Sequence, residues 1–217
     1  MAKKKIFLVD DHDVARMGLR RLIESEGDLT VCGEAGDGTD ALKALPKAGA
    51  DALIADLSMP EMGGLDLIKA VKQKWPKLPI LVISMHDESV YAERVFAAGA
   101  RGYLMKKESA AKVIPALREV LSGKRHMSEA MKEKMLDRLA DGDKPEEGSP
   151  VESLSDRELE VFEFIGQGLK TGEIAEKLHL SVKTVESYRE QIKIKLKVST
   201  ASELTHYAVE WSHSQGR

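Results

Sequence analysis

The sequence predicts an α/β domain with a five-stranded parallel sheet, followed by a small domain made of helices. Five short apolar segments alternate with five segments of helical periodicity over residues 3–123. The strand segments are apolar on successive residues, which is typical of a parallel sheet covered on both faces. Residues 150–213 instead contain several short helical segments in succession.

Each element of the first domain has its own signal. The strands are bounded by polar or turn residues, and they are predicted at residues 6–9, 29–32, 52–55, 80–83 and 102–105. The helices are predicted from apolar side chains three or four residues apart, such as Val14 and Met17 in the first or Leu65, Ile68 and Val71 in the third. The other helices are predicted around residues 41–45, 90–98 and 110–121.

Polar residues follow four of the five predicted strands, and they are Asp10, Asp11, Asp56, Ser84 and Lys106. Any one of them could be an ordinary polar residue at a strand end. The carboxyl ends of parallel strands meet at one edge of the sheet, where ligands bind in such folds. We therefore expect the five side chains to form one site.

The residue types indicate what this site binds. Crowded carboxylates repel one another and need a cation nearby. A carboxylate-rich oxygen site suits Mg²⁺, which combines a few carboxylates with water and phosphate oxygens. The lysine and the hydroxyl can then contact the remaining anionic oxygens, and a carboxylate can act as a nucleophile to form an aspartyl phosphate.

Residues 3–123 resemble the receiver domain of bacterial response regulators. The similar segments are Val9-Asp10-Asp11-His12, Asp56-Leu57-Ser58-Met59-Pro60, Ser84-Met85-His86-Asp87-Glu88 and Gly99-Ala100-Arg101-Gly102-Tyr103-Leu104-Met105-Lys106. The resemblance implies a flavodoxin-like fold and a partner histidine kinase that phosphorylates Asp56. It also implies that Asp11, Asp56 and the Ser58 carbonyl bind Mg²⁺, with Asp10 assisting through water.

The same resemblance implies a switch. Ser84 and Lys106 are expected to contact the phosphoryl oxygens, and Tyr103 is expected to turn inward when Ser84 moves. Threonine is common where this chain has Ser84, but the hydroxyl is retained. His86 could contact water near the phosphate and influence dephosphorylation, whereas His12 fits the start of the loop into the first helix better than a catalytic role.

Composition limits the classes of protein that fit. The single Cys32 excludes an intramolecular disulfide and a cysteine-cluster zinc site, and it suggests a reducing compartment. No run of about 18 apolar residues predicts a membrane span, and the apolar stretch after Met1–Lys5 is too short for a signal peptide. We therefore expect a cytoplasmic protein that has no membrane partner.

Residues 124–149 are predicted to be a linker. Met131, Met135 and Leu139 lie at helical spacing and predict an amphipathic helix that packs between domains or between protomers. Residues 141–150 then contain two prolines, two glycines and no large apolar residue, which is the clearest domain boundary in the chain.

The last part of the chain follows a helix-turn-helix plan. Ser155 and Glu158 predict a capping box at the start of its first helix. A short helix at residues 173–178, a three-residue turn and a longer helix then follow. Val182 and Val185 are predicted in the buried stripe of the longer helix.

The longer helix has a basic face although residues 151–217 have a net charge of −2. Residues 182–197 contain five basic and two acidic side chains. The charges by themselves could be those of a helix face that is exposed to solvent. The preceding helix, the tight turn and the short Thr184 and Ser187 side chains instead favour DNA binding.

Residues 150–213 also resemble the LuxR-type helix-turn-helix domain, through Leu154-Ser155-Asp156-Arg157-Glu158, Gly172-Glu173-Ile174-Ala175-Glu176-Lys177-Leu178 and Leu180-Ser181-Val182-Lys183-Thr184-Val185-Glu186-Ser187-Tyr188. This implies a four-helix domain that binds DNA as a dimer with residues 182–196 in the major groove. The expected DNA-contacting residues are Lys183, Thr184, Glu186, Ser187, Tyr188, Glu190 and Lys193. Tyr188 stands where histidine is usual, and a glutamate can accept a hydrogen bond from cytosine N4.

Together the two resemblances imply a response regulator of the NarL/FixJ class, which binds promoter DNA, forms a homodimer when phosphorylated and is not an enzyme. An aspartate-nucleophile phosphatase is the first alternative, but such enzymes usually have a second aspartate where this chain has Ser58. A phosphorylation-independent regulator or protein-interaction adaptor is the second, and retention of every acceptor-site residue argues against it.

Overall fold

The computed structural model describes residues 2–59, 62–108, 110–140 and 150–214. The chain divides into two compact units, Met1–Ala140 and Asp141–Arg217. Among the residues that the structure describes, no helix has the length and apolar character needed to cross a bilayer.

A single parallel sheet forms the centre of the first unit. Its strands are β1 (Lys4–Val9), β2 (Leu29–Ala35), β3 (Ala52–Ala55), β4 (Ile80–Ser84) and β5 (Gly102–Met105), in the order β2-β1-β3-β4-β5. The bounds predicted for β3 and β5 are confirmed, and the other three strands extend beyond their apolar segments. Because β1 and β3 are neighbours, Asp10 and Asp56 follow adjacent strands at the same edge of the sheet.

Helices cover both faces of the sheet. They are α1 (Asp13–Glu24), α2 (Gly38–Ala48), α3 (Gly64–Lys74), α4 (Glu88–Ala97), α5 (Val113–Leu121) and α6 (Glu129–Ala140), with a 3₁₀ turn at Ala110–Lys112. Ile23 of α1 and Leu117 of α5 share a buried cluster with Ile6 and Ile54 of the sheet. Side chains alternate along a strand, so the buried Phe7 faces the opposite side of the sheet.

The first helix is where the sequence predicted, but its apolar residues are distributed differently. Val14 is 80% exposed and Met17 is also exposed, whereas Ile23 is buried. At about 100° per residue, Val14 lies on the opposite side of α1 from Ile23. Leu19 and Leu22 pack beside the buried cluster, so the second half of α1 supplies its contact with the sheet.

Residues 150–214, the described part of the second unit, form four helices, α7 (Asp156–Gly166), α8 (Thr171–Lys177), α9 (Val182–Leu196) and α10 (Ala201–Ser214), preceded by a 3₁₀ turn at Pro150–Ser153. The predicted capping box of Ser155 and Glu158 is present, and Ser181 caps α9. The prediction that Val182 is buried was wrong, because it is 49% exposed. Val182 is the first residue of α9, and the buried stripe of this helix begins at Val185.

Candidate functional site

Two buried aspartates and a lysine form the centre of the predicted site. Asp10 and Asp56 are 2% and 3% exposed at the ends of β1 and β3. Lys106, just after β5, places its Nζ 2.6 Å from Asp56 Oδ2 and 2.8 Å from Asp10 Oδ2. The structure thus brings together three side chains from three separate strands, as the strand-end pattern predicted.

This arrangement shifts the pKa values of Asp56 and Lys106. Burial raises the pKa of the Asp56 carboxyl, and the Asp10 carboxylate adds to this effect while Lys106 opposes it. Burial would lower the pKa of the Lys106 ammonium, but the attraction of Asp56 and Asp10 outweighs it and the pKa lies above its ordinary value. Lys106 therefore keeps its positive charge beside the carboxylates.

Asp11 and His12 extend the two buried aspartates into a cluster beside the lysine. Asp10, Asp11, His12 and Asp56 have potential ligand atoms that all lie within 4.8 Å of one another. The ring atom His12 Nδ1 is 2.8 Å from Asp11 Oδ1, and the backbone N–H of His12 donates to Asp10 Oδ1 at 2.9 Å. The carboxylate oxygens are the hard donors that a divalent cation such as Mg²⁺ prefers. His12 was not predicted as part of the cluster, although its place next to the acid pair was visible.

Backbone groups hold the Asp56 carboxylate. Its Oδ1 accepts a hydrogen bond from the Leu57 N–H at 2.6 Å and a longer one from the Ser58 N–H at 3.4 Å. Gly64, the first residue of α3, donates its N–H to the Leu57 carbonyl. A Cβ at Gly64 would lie 2.1 Å from the Asp56 carbonyl oxygen and 2.6 Å from Leu57 Cα. The start of α3 therefore packs on the Asp56-Leu57 backbone at a distance that only glycine allows.

Gly64→Ala should therefore disturb the site. The added methyl clashes with backbone atoms rather than with the end of a flexible side chain, so Asp56 must move. We expect a destabilisation of about 1–3 kcal/mol and a clear loss of Mg²⁺-dependent phosphorylation, measured by urea unfolding and by mass spectrometry with a small phosphodonor. Gly27→Ala is the matched control, because its Cβ would meet no atom within 4 Å. Normal phosphorylation of Gly64→Ala would contradict the role given to this contact.

The predicted switch residues lie at the end of β4 and within β5. Ser84 is fully buried at the end of β4, and its carbonyl accepts the Lys106 N–H at 2.7 Å. Tyr103 is buried with its hydroxyl donating to the His86 carbonyl at 2.9 Å. The His86 N–H in turn donates to Ser84 Oγ at 3.3 Å. Ser84 and Tyr103 are thus connected through the backbone of His86.

The structure also pairs two residues that the sequence did not connect. His86 Nε2 lies 2.7 Å from Ser58 Oγ, and the His86 ring stacks on Tyr91 with ring centroids 4.3 Å apart. The imidazole therefore joins the segment after Asp56 to the loop after β4. Ser58 and His86 are 28 residues apart in the sequence. Ser58 follows the end of β3 by three residues and His86 follows the end of β4 by two, and this position after a strand was the one sequence signal for their contact.

The exposed face of α9 lies opposite its buried stripe. Val185, Ile192 and Leu196 are buried. At about 100° per residue, Lys183 and Ser187 project to the other side, and both are exposed. The remaining predicted DNA-contacting residues are exposed or half-buried, and they are Thr184, Glu186, Tyr188, Glu190 and Lys193.

Several basic groups of α9 have partners within the domain. Lys193 Nζ is 2.9 Å from Glu190 Oε2, and Lys195 Nζ is 2.5 Å from Glu158 Oε2 in α7. Arg189 is half-buried, and burial lowers the pKa of its guanidinium from its ordinary value without discharging it. Lys183 and Lys197 are exposed. The basic face is therefore less extensive than the charge count indicated.

Glu158 connects the start of α7 to the end of α9. Its Oε2 accepts the Ser155 N–H at 2.6 Å, completing the capping box, and it also pairs with Lys195. Burial would raise the pKa of Glu158, but the hydrogen bonds from Lys195 and Ser155 outweigh it and hold the pKa below its ordinary value. Glu158 therefore stabilises the fold in its charged form.

Glu158→Gln should destabilise the second unit by about 1–2 kcal/mol, because it removes the charge in the capping box and in the ion pair. A lowered pKa means that this stabilisation is present above the ordinary value of 4.5 and is lost as the pH falls through the folded-state pKa. Hydrogen exchange of α7 and α9 across a urea series at pH 7 and below pH 4 measures both effects, with the exposed Glu176→Gln as control. An equal deficit at both pH values would contradict the assignment.

Two protein families match this chain. Residues 6–118 match the family described as response regulator receiver domain, and residues 152–208 match the bacterial regulatory proteins of the luxR family. The response regulator UvrY of Escherichia coli (strain K12) is 38% identical over 204 residues, which cover 94% of this chain and 93% of the relative.

Solved structures of RcsB response regulators are also similar. RcsB from Salmonella enterica serovar Typhimurium, bound to promoter rprA in the presence of phosphomimetic BeF₃⁻, has a TM-score of 0.63 and 28% identity, covering 95% of this chain and 98% of that chain. A structure of two RcsB dimers bound to two parallel DNAs has a TM-score of 0.58 and 29% identity, covering 94% of this chain and 97% of that chain.

Proposed function

Since this chain belongs to the response regulators that join a receiver domain to a LuxR-type DNA-binding domain, we propose that Asp56 is its phosphoacceptor. The chain is a DNA-binding two-component regulator of the NarL/FixJ class, and its family is one of transcription regulators rather than of enzymes. We further propose a receiver domain at residues 3–123, a linker at 124–149 and the DNA-binding domain at 150–213.

The observation that carries the assignment is the placement of Lys106 between two buried carboxylates, 2.6 Å from Asp56. A phosphohistidine of a partner histidine kinase is the proposed donor. An Asp56 carboxylate oxygen attacks the phosphorus, and a P–O bond forms as the P–N bond breaks. The phosphohistidine ring, already protonated on its other nitrogen, leaves as neutral imidazole. Lys106 and the Ser84 hydroxyl then contact the phosphoryl oxygens, whose added negative charge they stabilise.

The acidic cluster is suited to Mg²⁺. Asp11, Asp56 and the Ser58 carbonyl are the proposed ligands, and Asp10 assists through water. The supporting observation is the donor set itself, since oxygens from three aspartates lie within 4.8 Å of one another. When bound, the ion neutralises charge on the phosphoryl oxygens. The chain's own residues position Asp56 by the Leu57 N–H and by Lys106.

Asp11→Ala should weaken Mg²⁺ binding by at least about tenfold and slow phosphorylation, because it removes a hard oxygen ligand. Fluorescence titration with Mg²⁺ measures the affinity directly, without reference to phosphorylation. Asp13→Ala is the control, since Asp13 is exposed and near in sequence but outside the acidic cluster. An unchanged Mg²⁺ affinity in Asp11→Ala would argue against the proposed ligand set.

Phosphorylation is proposed to act through Ser84 and Tyr103. To donate its hydroxyl to a phosphoryl oxygen on Asp56, Ser84 turns its side chain toward Asp56, which moves its Oγ away from the His86 N–H. Tyr103 already lies inward in this structure, unlike the resting position that the resemblance implies, and its hydroxyl donates to the His86 carbonyl. A shift of the His86 backbone therefore changes the stability of this inward position. A ligand alters a conformational equilibrium only through such differential contacts.

DNA binding is assigned to α9. We propose that it enters the major groove and contacts DNA through Lys183, Thr184, Glu186, Ser187, Tyr188, Glu190 and Lys193. Promoter DNA as the target is supported by the RcsB structure bound to promoter rprA, and a homodimer is supported by the structure of two RcsB dimers bound to two parallel DNAs. A chromosomal target also supports a cytoplasmic location.

Genome-wide DNA-binding maps of the wild type and of Asp56→Ala test this function. We expect discrete sites in the wild type that lose occupancy in the variant. Sites occupied equally in both strains would instead identify a phosphorylation-independent regulator. Absence of sites in both would favour a protein-interaction adaptor.

A further inference from the structure

The pairing of β1 with β2 contains an irregularity close to the acidic cluster. Ile6 of β1 lies opposite Val31 of β2, but the next residue, Phe7, lies opposite Gly33. β2 therefore has one extra residue at this point, Cys32, which is a β-bulge. Because side chains alternate between the two faces of a strand, the extra residue reverses the faces of the residues that follow it.

The side chains on either side of the bulge show this reversal. Val31 packs against the buried cluster that α1 and α5 share with the sheet. Glu34, three residues later, lies on the same face and pairs with Arg16 of α1, whereas a regular strand would need an even spacing. A Cβ on Gly33 would instead lie 2.5 Å from the Phe7 ring, on the opposite face. The bulge therefore directs Glu34 toward α1.

Arg16 uses its guanidinium to join three segments of the first unit. Its Nη1 donates to the Asp10 carbonyl at 2.5 Å, and its Nη2 donates to Asp13 Oδ1 at 2.5 Å. Its Nε lies 3.5 Å from Glu34 Oε2, and the Arg16 side chain is 18% exposed. A guanidinium presents its N–H donors in a fixed planar fork. One side chain therefore holds the end of β1, the first turn of α1 and β2 in a single arrangement.

The carbonyl that Arg16 holds belongs to a residue of the acidic cluster. The Asp10 N–H donates to the Ala35 carbonyl at 3.2 Å, so both backbone polar groups of Asp10 have partners. The Asp10 carbonyl is part of the peptide bond to Asp11, and a peptide bond is planar. Arg16 therefore also fixes the plane from which the Asp11 residue continues.

We propose that Arg16 is a positioning residue for the cation site, because it holds the Asp10-Asp11 peptide so that both carboxylates lie in the acidic cluster before a divalent cation binds. This inference rests on the proposed function, in which Mg²⁺ occupies that cluster. Groups that orient metal ligands commonly contribute about ten- to a hundredfold to metal affinity. Arg16 acts on the affinity for the cation, and the reaction at saturating cation does not depend on it.

The direction of the effect separates positioning from simple electrostatics. Arg16 is positively charged and lies beside the acidic cluster, so its charge alone repels a cation. If this repulsion were its whole effect, Arg16→Ala would bind Mg²⁺ more tightly than the wild type. If Arg16 positions the two carboxylates, the same substitution binds Mg²⁺ more weakly.

A titration of the full chain with Mg²⁺, followed by the NMR chemical shifts of the Leu57 and Ser58 amides, measures the affinity at the site. Both amides donate to Asp56 Oδ1, so they respond to a cation bound there. We expect Arg16→Ala to bind Mg²⁺ about tenfold more weakly than the wild type. An affinity equal to or tighter than that of the wild type would overturn the proposal.

Arg20→Ala is the matched control. Arg20 lies one turn later in α1 and also pairs with Glu34, but its guanidinium donates to this glutamate rather than to the Asp10 carbonyl. We expect Arg20→Ala to keep the Mg²⁺ affinity of the wild type to within about twofold. A loss as large as that of Arg16→Ala would mean that the attachment of α1 to β2 determines the affinity, and it would overturn the proposal.

Arg16→Lys tests whether the fork of donors is needed. Lysine keeps the positive charge but is a single point donor, so Arg16→Lys should also bind Mg²⁺ more weakly than the wild type. Full Mg²⁺ affinity in Arg16→Lys would overturn the proposal. This variant also serves if Arg16→Ala does not fold.

The rate of phosphorylation by a small phosphodonor at increasing Mg²⁺ provides a readout that general destabilisation would not give. Arg16→Ala should need about tenfold more Mg²⁺ for its half-maximal rate and should reach the maximal rate of the wild type. A lower maximal rate with an unchanged Mg²⁺ dependence would overturn the proposal.

The proposed function and the positioning role can fail separately. If Mg²⁺ does not shift the Leu57 and Ser58 amides of the wild type, the proposed cation site fails, and the positioning role fails with it. If Mg²⁺ shifts these amides and Arg16→Ala binds the ion as tightly as the wild type, the positioning role alone fails.

Discussion

Asp56→Ala should abolish acid-labile phosphorylation of this chain by a small phosphodonor with Mg²⁺. Asp56 is the buried carboxylate at the end of β3, and like Asp10 it lies beside both Lys106 and the other acids. Without its oxygen nucleophile no acyl phosphate can form. The measurement is intact-mass spectrometry before and after brief acid or hydroxylamine treatment, which removes an acyl phosphate.

Two further variants help to distinguish the loss of the nucleophile in Asp56→Ala from other causes of slow phosphorylation. Asp66→Ala changes an exposed aspartate of α3 and should be phosphorylated normally. Asp10→Ala keeps the Asp56 nucleophile but removes one partner of Lys106, so it should slow phosphorylation without abolishing it. Stoichiometric labelling of Asp56→Ala would refute the acceptor assignment.

Substitutions on α9 should separate base recognition from phosphate contact. Lys183 and Ser187 lie on the exposed face near the start of α9. Lys183→Ala or Ser187→Ala should therefore relax the base preference at one position of the DNA site and reduce the binding free energy by about 1–3 kcal/mol. Lys193, near the other end of α9 and paired with Glu190, is expected to contact phosphate. Lys193→Ala should weaken binding to all DNA sequences equally. It should also reduce the slope of log affinity against log salt concentration by about one.

The measurement is the affinity of the full chain for an operator and for its single-base variants, at several salt concentrations. Lys170→Ala is a control for charge alone, because Lys170 is an exposed lysine that precedes α8 rather than lying on α9. If Lys183→Ala and Ser187→Ala keep the base preferences of the wild type, α9 is not the element that reads the sequence.

The order and type of the elements could be predicted because their signals are local. A strand of the sheet is a run of apolar residues, as at Ala52–Ala55, and a helix cap needs two residues that are three apart, as with Ser155 and Glu158. The grouping of Asp10, Asp56 and Lys106 also followed from a local signal, because parallel strands bring their carboxyl ends to one edge.

The contacts between side chains of distant segments were decided by the tertiary structure. The Ser58 hydroxyl lies beside His86, Glu158 pairs with Lys195 37 residues later, and Glu88 accepts the Ser128 N–H 40 residues later. Such partners depend on the distance and angle between packed elements, for which the sequence has no periodic signal. The sequence therefore indicated which residues lie together at this edge of the sheet, and the tertiary structure decided which side chains from more distant segments contact them.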